Sequence, residues 1–120
     1  HRYTPVRGLP ALVERACDDL GRRQGMVIER DELLVTGGAT GGLSALLAAL
    51  LTPGDEVLLL APYWPLMAGA TRLMGGTPIA VPFFQRGLNL EDSLKALDAH
   101  YTSKAKVLYM NPQITRQAKF

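Results

Sequence analysis

The stretch that decides the fold is LLVTGGATGGLSALLAALL, residues 33–51. It joins a short apolar run, residues 33–36, to an apolar helix that ends near Leu51, and the six small residues GGATGG lie between them. A tight strand-to-helix turn requires residues that tolerate unusual backbone dihedrals. Backbone N–H groups at the start of a helix also bind phosphate, helped by the helix dipole. The pattern therefore predicts a strand, a turn and a helix, with either a structural or a phosphate-binding role for the turn.

The rest of the chain alternates short apolar runs with helix-length segments. Continuous apolar strands are typical of a parallel sheet that is buried on both faces, with helices as the crossovers. The prediction is an α/β fold with a partial, mainly parallel sheet of about four strands. Besides residues 33–36, the predicted strands are 57–60, 79–81 and 107–110, and the other predicted helices are 9–24, 66–74 and 89–99, the last capped by Asn89.

Composition excludes several classes of function. The 120 residues carry a formal net charge of only +2, which argues against a nucleic-acid or anionic-membrane partner. The apolar stretches are too short and too interrupted to span a bilayer. The two histidines are isolated from other ligand-type residues, so no metal site is predicted. The single cysteine, Cys17, is expected to be a small buried hydrophobic residue in a reducing compartment, which favours the cytoplasm.

Known phosphate-binding patterns fit the glycine turn poorly. Gly37 and Gly42 have the spacing of a nucleotide P-loop, but Leu43 and Ser44 follow where lysine and serine are required. No glycines in the turn have the register of the dinucleotide fingerprint. The turn alone leaves open a purely structural role and a non-catalytic nucleotide- or phosphate-binding α/β module.

Five short motifs, taken in their order and spacing, resemble those of one protein family. They are YTPVRGLP at residues 3–10, VTGGAT at 35–40, PGDEV at 53–57, APYW at 61–64 and GGTP at 75–78. Together they resemble the first half of the large domain of class I/II pyridoxal-phosphate-dependent aminotransferases, which have fold type I, and the aspartate aminotransferase-like branch is the nearest. The resemblance covers Tyr3 to Asn111. It implies that residues 1–120 are one partial large, cofactor-binding domain without a second domain.

The resemblance also implies site residues. The family's turn after this strand holds the phosphate of pyridoxal 5′-phosphate with two backbone N–H groups and a side chain, and these positions fall on Gly38, Ala39 and Thr40. Trp64 matches the aromatic residue that stacks on the cofactor's pyridine ring. Tyr3 matches a tyrosine that reaches the cofactor phosphate of the neighbouring subunit. The cofactor-binding set is therefore expected to be Gly38, Ala39, Thr40, Trp64 and Tyr3.

The same resemblance implies that the full enzyme is a homodimer that moves an amino group between an amino acid and a 2-oxo acid, and the cytoplasm is the default location. Related lyases and synthases share these motifs, and a non-functional remnant is a third possibility. No catalytic residue is assigned, because the lysine that forms the Schiff base lies further along in the family. After Asn111 the chain departs from the family's Asn-Pro-Thr-Gly loop, so the role of that asparagine is not transferred to Asn111. The chain alone is expected to be an inactive fragment.

Overall fold

The computed structural model describes residues 3–85 and 87–111. The predicted departure from the family after Asn111, at Pro112 to Gln117, lies outside the described residues. Within them the chain forms two compact units, one up to Leu43 and the other from Ser44. The helices are α1 Pro10–Gln24, α2 Gly38–Leu50, α3 Leu66–Leu73 and α4 Leu90–His100, with a short 3₁₀ helix at Arg30–Glu32, and the strands are β1 Glu56–Ala61, β2 Thr77–Pro82 and β3 Ala105–Tyr109.

Helix α1 organises the first unit. Pro10 occupies its first turn, where the missing N–H costs nothing, and Gly25 ends it in the left-handed conformation with φ 67°. Val13 and Cys17 are buried one helical turn apart. The Cys17 thiol lies 3.8 Å from the carbonyl oxygen of Glu29 and forms no disulfide. The prediction of Cys17 as a small buried residue is confirmed.

The strand predicted at residues 33–36 does not form, so the described sheet has three strands rather than about four. Leu33 has extended dihedrals, φ −119° and ψ 131°, as a strand requires. Among the described residues, one backbone hydrogen bond joins this segment to an earlier part of the chain: the N–H of Val35 donates to the carbonyl of Arg7 at 3.0 Å. A strand exists through its ladder of bonds to a neighbour. The segment is therefore extended but unpaired among the described residues, and the prediction of a strand there is wrong.

The other predicted strands form a parallel sheet in the second unit. The strand order is β2-β1-β3, and β1 is parallel to both neighbours. Leu58 of β1 is in register with Ile79 of β2 and with Leu108 of β3. Helices α3 and α4 are the crossovers, and the side chain of Asn89 accepts the N–H of Asp92 at 2.8 Å, which confirms the predicted cap. The α/β class and the parallel topology are confirmed.

Strand β1 is buried on both faces. Its four central residues, Val57 to Leu60, are at most 2% exposed. Leu58 and Leu60 pack with Val81 on one face, and Ala96 and Leu97 of α4 cover them. Val57 and Leu59 point to the other face, because successive side chains alternate along a strand. Burial on both sides is the reason that this strand is a continuous apolar run.

A turn before β1 is tied to β3. Gly54 has φ +97° and the N–H of Asp55 donates to the carbonyl of Thr52 at 3.0 Å, as in a type II turn with Pro53 in its second position. One carboxylate oxygen of Asp55 accepts the N–H of Thr52 at 2.7 Å, its hydroxyl at 2.9 Å and the ammonium of Lys106 at 3.1 Å. The backbone bond from Thr52, then its hydroxyl bond and Lys106, lowers the pKa of the Asp55 carboxyl below its usual 3.8.

Among the described residues, no helix has the length and apolar character needed to cross a bilayer.

Removing the side chain of Leu59 should weaken the sheet severely. Leu59 has 0% exposure, so Leu59→Ala loses the transfer energy of the side chain and leaves a cavity. We expect the free energy of unfolding in urea to fall by about 2–5 kcal/mol. Leu108→Ala on β3 is the matched control, because Leu108 is 52% exposed, and it should change the value by less than about 1 kcal/mol. Equal effects of the two substitutions would contradict the burial described here.

The Asp55 bonds should make stability depend on acid pH. A carboxyl whose folded pKa is lowered adds stability above its unfolded pKa, and this stability is lost as the pH falls through the folded pKa. The difference in unfolding free energy between the wild type and Asp55→Asn should therefore be constant near neutral pH and shrink below about pH 3.9. When the same comparison is made in a Lys106→Met background, the effect of Asp55→Asn near neutral pH should be smaller. A difference that grows as the pH falls would contradict the assignment.

Candidate functional site

The glycine turn is closed by reciprocal hydrogen bonds between Thr36 and Gly38. The N–H of Gly38 donates to the carbonyl of Thr36 at 2.8 Å. The hydroxyl of Thr36 donates to the carbonyl of Gly38 at 3.0 Å. Gly38 has φ +78°, a left-handed value that favours glycine. The chain therefore enters α2 through a turn for which its second glycine is required.

The first turn of α2 presents its N–H groups to the surface. Gly38, Ala39 and Thr40 are all exposed, and the first turn contains no acidic residue. The first N–H groups of a helix have no partner within the helix. Since the N–H of Gly38 donates to Thr36, the groups left for a ligand are those of Ala39 and Thr40, together with the Thr40 hydroxyl. Small side chains and a positive helix end make this an arrangement that suits an anion.

Trp64 lies in the second unit, where the chain passes from β1 to α3. Its carbonyl accepts the N–H of Met67 at 3.0 Å, and its side chain is 37% exposed. The carboxyl ends of all three parallel strands meet at one edge of the sheet, so Trp64 follows the same edge as Phe83 and Phe84. The rings of Phe83 and Phe84 meet edge to face, with centroids 4.8 Å apart. Trp64 is therefore an accessible aromatic ring at the edge where α/β sheets bind ligands.

Tyr3 lies in the first unit and is fully exposed. An exposed ring has the access that binding to another subunit requires, but exposure alone assigns no role. Gly38, Ala39 and Thr40 are brought together by their sequence, as expected. That Tyr3, Trp64 and the glycine turn bind one kind of ligand stays a prediction.

Two of the lysines that the structure describes are in ion pairs. Lys95 pairs with Glu91 at 2.7 Å on the surface of α4, and Lys106 pairs with Asp55. In the part of the chain that the structure describes, no three His, Cys, Asp or Glu side chains form a group that could hold a metal ion. A cavity of about 500 Å³ lies along the C-terminal end of α1 beside Cys17 and Met26, remote in sequence from the glycine turn.

Thr36 is the residue that sequence reasoning missed. The sequence pattern places it at the end of a strand, whereas its hydroxyl donates to the carbonyl of Gly38, two residues later. A serine or threonine hydroxyl that bonds to nearby backbone is a known feature of turns. The signal was available in the Thr-Gly-Gly order at 36–38, but the same order is compatible with a threonine that points to solvent.

Comparison with known proteins gives consistent matches. The family model described as aminotransferase class I and II matches residues 1–112. The aspartate aminotransferase of Streptomyces avermitilis is 37% identical over 108 residues, which are 90% of this chain and 26% of that protein. The probable aspartate aminotransferase of Streptomyces griseus is 36% identical over 113 residues, 93% of this chain and 52% of that protein.

Solved structures also match this chain. The Thermus thermophilus aspartate aminotransferase with maleate superposes with a TM-score of 0.78 and 30% identity, over 92% of this chain and 28% of that one. The alanine aminotransferase of Pyrococcus furiosus gives a TM-score of 0.77 and 29% identity, over 89% of this chain and 27% of that one. This chain therefore spans between about a quarter and a half of the length of these relatives.

Two glycines of α2 offer a matched test of the turn. A β-carbon on Gly38 or on Gly41 would meet no atom within 4 Å, so the two positions differ in backbone conformation rather than in space. Gly38→Ala forces a left-handed alanine and should lower the free energy of unfolding by about 1–2 kcal/mol. Gly41→Ala, inside the helix, should raise it by about 0.5–1 kcal/mol. Urea unfolding of both variants measures this, and equal shifts would contradict the left-handed turn.

Proposed function

Because the chain belongs to the aminotransferase class I and II family, we propose that it is part of the large, cofactor-binding domain of a pyridoxal 5′-phosphate-dependent aminotransferase. The observation that carries the proposal is the exposed glycine turn at the start of α2, within a family match over residues 1–112. The family match favours this reading over a nucleotide-binding or other phosphate-binding module without catalysis. The domain assignment, residues 1–120 as one partial large domain, is part of the proposal.

The residues of the turn fit the cofactor's phosphate. Ala39 and Thr40 offer two N–H groups at a helix start, and the Thr40 hydroxyl offers a third donor. The first turn has no acidic side chain that would repel the anion. Gly38 has no β-carbon, so the phosphate oxygens can approach the backbone closely. Donor chemistry, charge and space thus agree.

The aromatic residues have complementary roles in the proposal. Trp64, on the accessible edge of the second unit, stacks on the cofactor ring and keeps it flat against the protein. Tyr3, which is fully exposed, donates its hydroxyl to the phosphate bound by a second copy in a homodimer. Both roles rest on the family resemblance.

When bound, pyridoxal 5′-phosphate supplies an electron-withdrawing ring that stabilises negative charge at the α-carbon of an amino acid. In the proposal Ala39 and Thr40 bind the phosphate of this cofactor, and the assignment of Trp64 to its ring rests on the family resemblance. The amino acid and the 2-oxo acid are the proposed substrates of the full enzyme. A cytoplasmic location is also proposed, and the free, buried Cys17 supports it.

The phosphate contribution can be measured with ligands that have no aldehyde. Pyridoxamine 5′-phosphate and pyridoxamine differ by the phosphate alone, and neither reacts with surface lysines. Equilibrium dialysis of the chain should give a dissociation constant for the phosphorylated ligand on the order of 1 mM, since few contacts are made. Thr40→Val should weaken that binding by about 3- to 10-fold, the value of one hydrogen bond, and leave pyridoxamine binding unchanged.

Two results would overturn the proposal. Equal affinity of the wild type for the two ligands would show that the turn does not bind phosphate. Borohydride treatment of the chain with pyridoxal 5′-phosphate, followed by peptide mapping, should label several surface lysines partially. A single stoichiometrically labelled lysine, together with amino transfer to a 2-oxo acid, would show that the chain is a complete small enzyme rather than part of one.

A further inference from the structure

The hydroxyl of Thr36 is placed to control the direction of an N–H group in the phosphate site. The carbonyl of Gly38 and the N–H of Ala39 belong to the same peptide unit, which is planar and trans, so they point in opposite directions. The hydroxyl of Thr36 donates to that carbonyl at 3.0 Å. Holding the carbonyl toward Thr36 therefore turns the N–H of Ala39 away from Thr36 and toward the surface.

The preceding peptide unit is held as well. The N–H of Gly38 donates to the carbonyl of Thr36 at 2.8 Å, which fixes the peptide between Gly37 and Gly38. Thr36 thus bonds to both peptide units of Gly38. Each of these units adjoins a glycine, and peptides beside glycine rotate more easily than others. The carbonyl of Gly38 lies at the start of α2, so the hydroxyl bond adds a second restraint to the helix's own bond from the N–H four residues later.

Gly42 provides the space that this arrangement needs. A β-carbon at Gly42 would lie 3.0 Å from the hydroxyl oxygen of Thr36 and 3.6 Å from its methyl carbon. The threonine side chain therefore packs closely over the second turn of α2, where a bare backbone faces it. This contact restrains the rotamer of Thr36 and keeps its hydroxyl aimed at Gly38.

We propose that Thr36 is a positioning residue of the phosphate site, which orients the N–H of Ala39 toward the bound phosphate through the carbonyl of Gly38. The inference rests on the proposed function, since it assumes that the turn binds the cofactor's phosphate. Thr36 itself does not contact the ligand. Its effect is to keep the donor group in the binding orientation before the ligand arrives, which reduces the ordering cost of binding.

The test uses two substitutions with opposite chemistry. Thr36→Val keeps the shape of the side chain and removes the hydroxyl, whereas Thr36→Ser keeps the hydroxyl and removes the methyl group. We expect Thr36→Val to lower the affinity for pyridoxamine 5′-phosphate by about 3- to 10-fold, with pyridoxamine unaffected. Thr36→Ser should retain the wild-type preference for the phosphorylated ligand. Urea unfolding of both variants establishes that each is folded under the binding conditions.

A second measurement does not depend on the ligand. The residual dipolar coupling of the Ala39 N–H bond, measured by NMR in an aligning medium, reports the direction of that bond, so it should shift in Thr36→Val and remain near wild type in Thr36→Ser. If the wild type prefers the phosphorylated ligand and Thr36→Val does so equally, the positioning role is wrong and the proposed function stands. If the wild type shows no preference, the proposed function fails, and this inference fails with it. A dipolar coupling of Ala39 that is unchanged in Thr36→Val would overturn the orienting role directly.

Discussion

The two-sided burial of β1 is the constraint on which the second unit depends. β1 is paired on both edges and covered on both faces, so nearly every group on it has a partner within the protein. Its position determines where the neighbouring elements begin and end. At its carboxyl end the chain turns toward Trp64, and at its amino end Asp55 joins the preceding turn to Lys106 of β3. The accessible aromatic edge is therefore a consequence of a core that tolerates little change.

The glycine turn works by a different principle, because its chemistry comes from the backbone. The proposed donors include the N–H groups of Ala39 and Thr40, which are present whatever the side chain. Besides the Thr40 hydroxyl, two residues act indirectly: Gly38 permits φ +78°, and Thr36 bonds to the peptide units on either side of Gly38. A substitution in such a site alters binding through backbone orientation. Residues that do not contact the ligand can therefore affect the binding affinity as much as residues that do.

The sequence predicted the fold well where burial alone decides it. The continuous apolar run of β1 is produced by contact on two faces, and the Pro53-Gly54 pair is required by its turn, so both could be predicted from the sequence. Residues 33–36 show the same apolar pattern, yet a pattern reports a tendency to be buried and not the identity of the pairing strand. The glycine turn at the start of α2 was also predicted, and the donor role of its residues stays a prediction. The hydroxyl bond of Thr36 was not predicted, because a rotamer and a left-handed glycine together create it.

The parallel pairing of β1 with β3 has a consequence for synthesis. Lys106 lies 51 residues after Asp55, so the partner that completes the ladder is made long after β1 itself. At about 5–20 residues per second, the four apolar residues of β1 wait roughly 3–10 s for that partner on the ribosome. Closing so long a loop also costs chain entropy before any contact repays it, which slows folding. During this interval one edge of β1 has no partner strand, and an unpaired apolar edge favours aggregation.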